Sequence, residues 1–220
     1  MPARDQPTVL LFNKWDVRKI EVNDQGLLNV ISLIPSVAIP ITFGRHEHQR
    51  MKKADVHIVE RLANKLMHFG KRYAKNTGRM GGKKARIYKT IEAALDILSL
   101  ETGKNPVELL VKAVENASPN EDTTRIVYGG VVYHVSVDVA PLRRVDLALR
   151  FIDEGVREST YSSLQSIEEV LAREILLASG NDMSSYAIKK KNEQERIAMS
   201  SRYYQRRRYI PSGNLNCFKT

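Results

Sequence analysis

The side chains of this sequence that could do chemistry are mostly cations, and they are concentrated in one stretch. The chain has 220 residues and a formal net charge of +10. Between Arg61 and Ile91 there is no Asp or Glu, whereas ten Lys and Arg residues occur there, and the rest of the chain is electrically balanced. Positively charged residues in such a block repel one another unless a polyanion neutralises them. The pattern therefore favours contact with nucleic-acid phosphates over a merely solubilising surface.

Residue types that support catalysis or metal binding do not occur in a known arrangement. The segment Gly78–Lys84 is similar to a phosphate-binding loop, but three residues instead of four separate Gly78 from Gly82, and no Ser or Thr follows the first lysine. His46 and His48 have no Cys, His or acid at a ligand spacing, so we interpret them as phosphate or base contacts. No Ser/His/Asp or Cys/His arrangement is recognisable. We predict neither an enzyme nor a metal or cofactor site.

Composition limits the class of protein further. A hydrophobic fraction of 42% is sufficient for a core. The single cysteine, Cys217, excludes an internal disulfide framework and fits a reducing compartment. Apolar runs are far shorter than the roughly 20 residues of a membrane span, and the first residues do not form a secretory signal. We expect a basic, soluble, intracellular protein.

Helical periodicity accounts for most of the sequence after residue 53. Apolar residues recur at helical spacing, and two helix starts carry cap patterns: Asn105 followed by Pro106, and Ser166 with Glu169. Helices are expected to begin near Ala54, Lys84, Asn105, Pro141, Ser166 and Ser185.

The acid-free block begins on the first of these helices and continues through a loop. The apolar stripe that should face the core comprises Ile58, Val59, Leu62, Leu66 and Phe69. The opposite face, which we expect to be exposed, comprises His57, Arg61, Asn64, Lys65 and His68. Residues 70–82 are expected to form a mobile, glycine-containing loop.

One strand pair is recognisable. Two strand-like runs, residues 125–128 and 131–135, flank a Gly-Gly pair at 129–130 that suits a tight turn with positive φ. Pairing Tyr128 with Val131 sets the register. Because an isolated hairpin is marginal in water, its base is expected to dock on helices while its tip projects.

The first 50 residues are irregular. Short strand-like runs occur at 31–34 and 37–41, and we expect this segment to be an arm laid over other elements. Trp15 could anchor this arm or serve as a stacking platform. Helix-breaking prolines occur at Pro2, Pro7, Pro35 and Pro40.

These patterns together predict a mainly α fold. We expect an extended N-terminal arm over residues 1–50 and a domain of about six helices over residues 51–202. One two-stranded β-hairpin, at about 124–139, protrudes from that domain. A basic C-terminal tail is expected over residues 203–220.

Nine short segments, taken in order, form a pattern that is more specific than any one of them. They are Gly44–His46, His57–Leu62, Asn64–Met67, Gly103–Pro106, Glu121–Arg125, Tyr128–Gly130, Val137–Asp138, Pro141–Val145 and Ser185–Lys191. The pattern, over about residues 12–202, resembles the universal small-subunit ribosomal protein family that is counted seventh in bacteria and fifth in eukaryotes. The arm and the last segment resemble archaeal and eukaryotic members, and the hairpin tip favours an archaeal one.

The resemblance implies a fold of helices with one protruding hairpin, as the patterns above also indicate. It implies a primary rRNA-binding protein that organises the 3′ major domain, the head of the small ribosomal subunit, in the cytoplasm. Its partners would be that rRNA, the exit-site tRNA, the mRNA and neighbouring proteins of the head and platform, with no membrane. The hairpin residues expected near tRNA and mRNA are Arg125, Tyr128, Gly129, Gly130, Val131 and Tyr133.

The cations expected to bind rRNA join the acid-free block to smaller basic clusters. They are Arg45, Arg50, Lys52, Lys53, Arg61, Lys65, Lys71, Arg72, Lys75, Arg79, Lys83, Lys84, Arg143, Arg144, Lys189, Lys190 and Lys191.

Two departures limit the resemblance: Asn120 stands where the family is expected to have Arg, and residues 203–220 extend past its usual end.

Two other functions compete with this interpretation. A DNA-binding transcriptional regulator would place the helix of Arg143 in a major groove and use the hairpin as a wing. An RNA-processing enzyme is disfavoured because no catalytic constellation is recognisable. Competition between duplex DNA and rRNA, and turnover on rRNA, would discriminate these alternatives.

Overall fold

The computed structural model describes residues 9–33, 35, 37–67 and 80–208. Within these residues the chain forms six α-helices and one antiparallel strand pair, so the predicted mainly α fold with one hairpin is confirmed. The helices are α1 Ile58–Leu66, α2 Lys84–Thr102, α3 Pro106–Ala117, α4 Pro141–Thr160, α5 Ile167–Ser179 and α6 Tyr186–Arg208. The strands are β1 Glu121–Tyr128 and β2 Val131–Asp138, and two 3₁₀ turns, Arg45–His48 and Lys52–Asp55, precede α1.

The core lies around α5, which packs against α2, α3 and α4. The apolar stripes of these helices supply fully buried side chains that include Leu95, Leu110, Leu149, Ile152 and Leu171. Each such side chain stabilises the fold by roughly 1.5–3 kcal/mol relative to leaving it exposed. The helices therefore form a packed body on which the polar surface is mounted.

Both predicted cap patterns are confirmed. Asn105 Oδ1 accepts a hydrogen bond from Val107 N at 3.1 Å. Ser166 Oγ accepts from Glu169 N at 3.3 Å, and a Glu169 carboxylate oxygen accepts from Ser166 N at 3.4 Å, which completes a capping box. These bonds satisfy backbone donors that a helix start leaves without a partner, and so they fix where α3 and α5 begin.

The described part of the predicted arm packs on the helices of its own chain. Leu11, Trp15 and Leu27 are buried in the same core as the helices, so Trp15 is an anchor of this segment. The runs 31–34 and 37–41 were expected to be strand-like. Among their described residues only Ser32 pairs, in an isolated bridge with His57, so the strand prediction is wrong there.

The hairpin has the predicted register, with Tyr128 opposite Val131. Gly129 and Gly130 have φ values of 57° and 79°, which a two-residue turn of this kind requires. The strands begin at Glu121 and end at Asp138, somewhat before the predicted bounds of 124–139.

Helix α6 packs on both strands of the hairpin and fixes its base. Glu195 Oε1 accepts a hydrogen bond from Asn120 N at 3.0 Å, and Arg202 pairs with Glu121. Near the turn, Val127 and Val132 are exposed. The helix continues through Arg208, six residues beyond the predicted end of the helical domain at residue 202.

A close approach between α4 and the start of α6 depends on Gly155. A Cβ atom at this position would lie 2.8 Å from Tyr186 Cβ and 3.2 Å from Glu174 Oε1. The buried Glu174 Oε1 also accepts hydrogen bonds from Ser185 Oγ at 2.7 Å and Ala187 N at 3.0 Å. These contacts leave no room for a side chain.

Replacing Gly155→Ala should therefore lower the free energy of unfolding by about 1–3 kcal/mol, because the added methyl overpacks the contact between α4 and α6. The matched control is Gly180→Ala, where a Cβ would meet only ordinary contacts at 3.7 Å and 3.8 Å. Urea denaturation of both variants measures the difference. Equal stability of the two variants would contradict this account of the packing.

Candidate nucleic-acid interface

The basic surface begins at the two 3₁₀ turns that precede α1. Arg45, Arg50 and Lys52 are exposed, as expected of phosphate contacts. Lys53 is partly buried, and its Nζ lies 2.8 Å from Asp146 Oδ2 on α4. The two turns, with Arg50 between them, therefore present three cations to solvent, and Lys53 attaches this segment to the helical body.

A buried carboxylate on α1 ties this surface to the start of α2. The Glu60 side chain is 1% exposed and accepts hydrogen bonds from Thr42 N and Thr42 Oγ1, at 3.0 Å each. It also lies 2.7 Å from Lys84 Nζ. The segment that leads into the first turn and the first residue of α2 are thus held on one anion. We call this set of contacts the Glu60 anchor.

The neighbouring lysines Lys83 and Lys84 have different surroundings. Lys83 is exposed at the N-cap of α2 and its side chain makes no capping hydrogen bond. Lys84 is partly buried against Glu60, and its ammonium also lies 5.8 Å from the ring centre of Tyr88. Lys83 can reach a phosphate freely, whereas the charge of Lys84 is already compensated inside the protein.

Arg61 lies inside the structure instead of on an exposed helix face. Its side chain is 1% exposed, with Nη2 3.2 Å from Asp146 Oδ1 and Nη1 donating to Val30 O at 3.1 Å. Burial lowers the pKa of Arg61, and the charge of Asp146 opposes that shift. The guanidinium therefore joins α1 to α4 and to the N-terminal segment.

The expectation that His57 and Arg61 mark an exposed face of α1 is wrong, because the N-terminal segment covers this face. Both residues are buried, whereas Asn64 is exposed and Lys65 is partly buried. Burial lowers the pKa of Lys65, and the nearby cations Lys53 and Arg150 lower it further while Asp146 raises it.

Asp146 on α4 is the shared partner of this group of cations. Burial alone would raise the pKa of the Asp146 carboxyl, but the hydrogen bonds and charges of Lys53 and Arg61 outweigh it and lower the pKa overall. The carboxylate is therefore charged at neutral pH and holds both cations against α4.

His57 caps α1 in its neutral form. Its Nδ1 accepts a hydrogen bond from Val59 N at 3.2 Å, so its Nε2 donates to Leu33 O at 2.8 Å. Burial lowers the pKa of His57 to about 4, although the Leu33 hydrogen bond and the charge of Glu60 act in the opposite direction. A proton on Nδ1 would break the cap.

The two neighbouring arginines of α4 also differ. Arg143 is exposed, with Nη2 3.4 Å from Asp122 Oδ2. Arg144 is largely buried, with Nη2 2.8 Å from Asp24 Oδ2 and donating to Ser118 Oγ at 3.1 Å. Arg143 can therefore contact an external anion, and Arg144 holds the N-terminal segment on the body.

On α6, Lys189 is the exposed member of the lysine run. Lys190 lies 2.7 Å from Glu193 Oε2, and Lys191 donates to Asn116 O at 2.8 Å.

At the hairpin, Arg125 and Val131 are exposed on either side of the turn at 129–130, and Tyr133 is partly buried. The backbone of Tyr128 belongs to β1, and its side chain lies outside the described residues, as do the whole residues Lys71, Arg72, Lys75 and Arg79.

Two cations of the acid-free block were left out of the predicted set although they are exposed on α2, namely Arg86 and Lys89. The helical pattern contained the signal, because Tyr88, Ile91 and Leu95 form the buried stripe and these two cations lie off it. The exposed part of α2 near Lys83 therefore extends the basic surface.

Within the described ranges no three His, Cys, Asp or Glu side chains come close enough together to hold a metal ion. In the same part of the chain, no helix is both long and apolar enough to cross a bilayer.

Comparison with known proteins gives the same family as the sequence pattern. Residues 37–202 match the family described as Ribosomal protein S7p/S5e. The small ribosomal subunit protein uS7 of Cenarchaeum symbiosum is 60% identical over 194 residues, which cover 88% of this chain and 97% of that protein. The protein of the same name from Methanothermobacter thermautotrophicus is 48% identical over 192 residues, with 87% and 98% covered.

The neutral cap of His57 predicts a pH dependence of stability. The unfolded state, with a pKa near the usual 6.5, takes up a proton between about pH 6.5 and 4 that the folded state excludes. The contribution of neutral His57 to the free energy of unfolding is therefore fully present above about pH 6.5 and is lost as the pH falls toward 4. The stability advantage of the wild type over His57→Asn should shrink by about 2 kcal/mol between pH 7 and pH 4.5.

Urea denaturation at several pH values measures this advantage. The buried Asp153, whose pKa burial raises to about 7, contributes a slope of opposite sign, but it is present in both proteins and cancels in the comparison. Parallel pH profiles of wild type and variant would contradict the neutral cap.

The Glu60 anchor predicts that adjacent lysines differ in their effect on stability. Lys84→Met leaves a buried carboxylate without its cation and should cost about 1–3 kcal/mol. Lys83→Met, the matched control, should change stability by less than about 0.5 kcal/mol. Adding Glu60→Gln to Lys84→Met should recover part of the loss. Urea denaturation measures the free energy of unfolding of each variant. An equal loss of stability in Lys83→Met and Lys84→Met would contradict the Glu60 anchor.

Proposed function

The chain belongs to the ribosomal protein S7p/S5e family, and from this premise we propose that it binds rRNA in the small ribosomal subunit and organises the 3′ major domain, the head. The observation that carries the proposal is the group of exposed cations, among them Arg45, Arg50, Lys52 and Lys83, mounted on a packed helical body. The protein acts as a structural component and not as an enzyme. The same premise supports a cytoplasmic location within that subunit.

Binding proceeds by charge neutralisation. Each phosphate that a Lys or Arg approaches releases condensed counterions, so affinity falls steeply as the salt concentration rises. The major groove of double-stranded RNA is too deep and narrow for side chains to read. Recognition therefore concentrates on the backbone, on junctions and on unpaired bases.

Organisation of the head requires that the cations keep fixed relative positions. The Glu60 anchor does this for two segments that are far apart in sequence, because it binds Thr42 next to the first turn and Lys84 at the start of α2. RNA strands bound by Arg45 and by Lys83 then keep a fixed spacing and angle. That fixed geometry is the contribution of this protein to assembly.

The hairpin serves a second purpose in this proposal. Its base is fixed on α6, and Arg125, Val127 and Val132 around its tip are exposed. A projecting, anchored tip suits contact with a molecule outside the head rRNA. Following the family resemblance, we assign the tip to the neighbourhood of the exit-site tRNA and the mRNA, and the surrounding surface to other proteins of the head and platform.

The proposed function predicts that Lys83→Glu weakens binding to a transcript of the 3′ major domain. The variant removes one phosphate contact and adds a negative charge, so affinity should fall roughly tenfold and the slope of log K against log salt should decrease in magnitude by about 1. Filter binding from about 50 to 200 mM salt measures both quantities.

The matched control is Lys104→Glu. Lys104 is exposed just beyond the C-terminal end of α2, about 30 Å from Lys83 at the helical rise of 1.5 Å per residue. This control should bind as the wild type does. A wild-type protein that prefers duplex DNA to the transcript, or two variants with equal affinity, would overturn the proposal.

A further inference from the structure

A large aromatic side chain stands in solvent on the basic surface. Phe43 is 79% exposed, whereas phenylalanine is among the residue types most often fully buried. Among the residues that the structure describes, no ring or cation contact is made to it. Its ring thus offers free aromatic surface.

The backbone of Phe43 is strained as well. Its φ is 50°, in the left-handed region that costs a residue with a side chain roughly 1–2 kcal/mol. Gly44 follows with φ 77°, so two successive residues with positive φ turn the chain into the 3₁₀ turn Arg45–His48. A glycine would fit position 43 without strain, yet the position carries a bulky aromatic residue that buries little surface.

Contacts on the preceding residues hold this conformation. Thr42 donates its backbone N–H and its hydroxyl to Glu60, and Tyr88 OH donates to Pro40 O at 2.5 Å. Thr42 Oγ1 also lies 3.2 Å from His46 Nδ1. The approach to Phe43 is therefore fixed by α1 and α2, and the ring is presented by a pre-organised turn and not by a loose loop.

The surroundings of the ring are cationic. Arg45 and Arg50 are exposed within seven residues of Phe43, and Glu47, the one acid among residues 43–50, lies 3.0 Å from His46 Nε2. An apolar protein partner would have to desolvate these charges, whereas RNA offers phosphates to the cations and base faces to the ring. Stacking of a base on an aromatic ring beside backbone-binding cations is typical of single-stranded nucleic-acid recognition.

We propose that Phe43 is a stacking platform for an unpaired base of the rRNA, held in its strained conformation by the Glu60 anchor. This inference rests on the proposed function and adds a contact to a base, where the cations supply contacts to phosphates. Strain that persists at an exposed position is typical of ligand clamps. Stacking of the base on the Phe43 ring then offsets the free-energy cost of the strained backbone.

The test compares substitutions at position 43 in binding to the 3′ major domain transcript. Phe43→Gly should leave stability unchanged or higher, because glycine accepts positive φ, yet it should lower affinity about tenfold. Phe43→Leu should lose a similar amount since it keeps apolar bulk without a π face, whereas Phe43→Tyr should bind as the wild type does. The salt slope should stay the same in all three, because no phosphate contact is removed.

Two controls accompany these variants. Leu100→Ala removes an apolar side chain of α2 that is at least as exposed as Phe43 and lies far from Lys83, at the other end of the helix, so affinity should not change. Phe43→Trp places an indole at the site, and binding of the transcript should quench the fluorescence of this indole. The wild-type protein gives the background signal, which comes from the buried Trp15.

The outcomes separate this inference from the proposed function. A wild-type protein that fails to bind the transcript would overturn both. A wild type that binds while Phe43→Gly and Phe43→Leu bind equally well would overturn the stacking platform alone. Unchanged affinity for the naked transcript, together with poor incorporation into small subunits, would also overturn it, because that result assigns Phe43 to a protein contact.

Discussion

The buried carboxylate of Glu60 is the interaction on which the basic surface depends. A charge withdrawn from water is tolerated only when cations and donors surround it, so Thr42 and Lys84 must lie where the structure has them. Glu60 immediately precedes the long stretch without acids, and it binds Lys84 of that stretch, while Asp146 binds Arg61 at its start. Together with the hydrogen bond from Tyr88 to Pro40, Glu60 keeps the turn at 45–48 and the start of α2 at a fixed distance.

The cations of the chain divide into two groups that composition cannot distinguish. Arg61, Lys84 and Arg144 are paired with carboxylates of their own chain and connect α1, α2, α4 and the N-terminal segment. Exposed cations such as Arg45 and Lys83 can meet phosphates. The number of Lys and Arg residues therefore includes both kinds of cation, whereas the net charge excludes every cation that a carboxylate of the chain balances.

Local patterns in the sequence predicted the elements that local interactions determine. The caps at Asn105 and Ser166, the helical stripes and the Gly-Gly turn at 129–130 are decided by residues close together in the chain, and all were predicted. The burial of Arg61 was not, because it depends on Val30 and Asp146, which lie 31 and 85 residues away. The difference between Lys83 and Lys84 has the same origin, since the position of Glu60 relative to α2 is a tertiary contact.

The central claim is that this cationic surface exists to bind folded rRNA within the small subunit. Sucrose-gradient sedimentation of extracts from its native cell, with and without RNase, tests this claim most directly. The protein should travel with small subunits and shift to the top of the gradient once their RNA is digested. A protein that sediments as a free species, at the same position before and after digestion, would contradict the account.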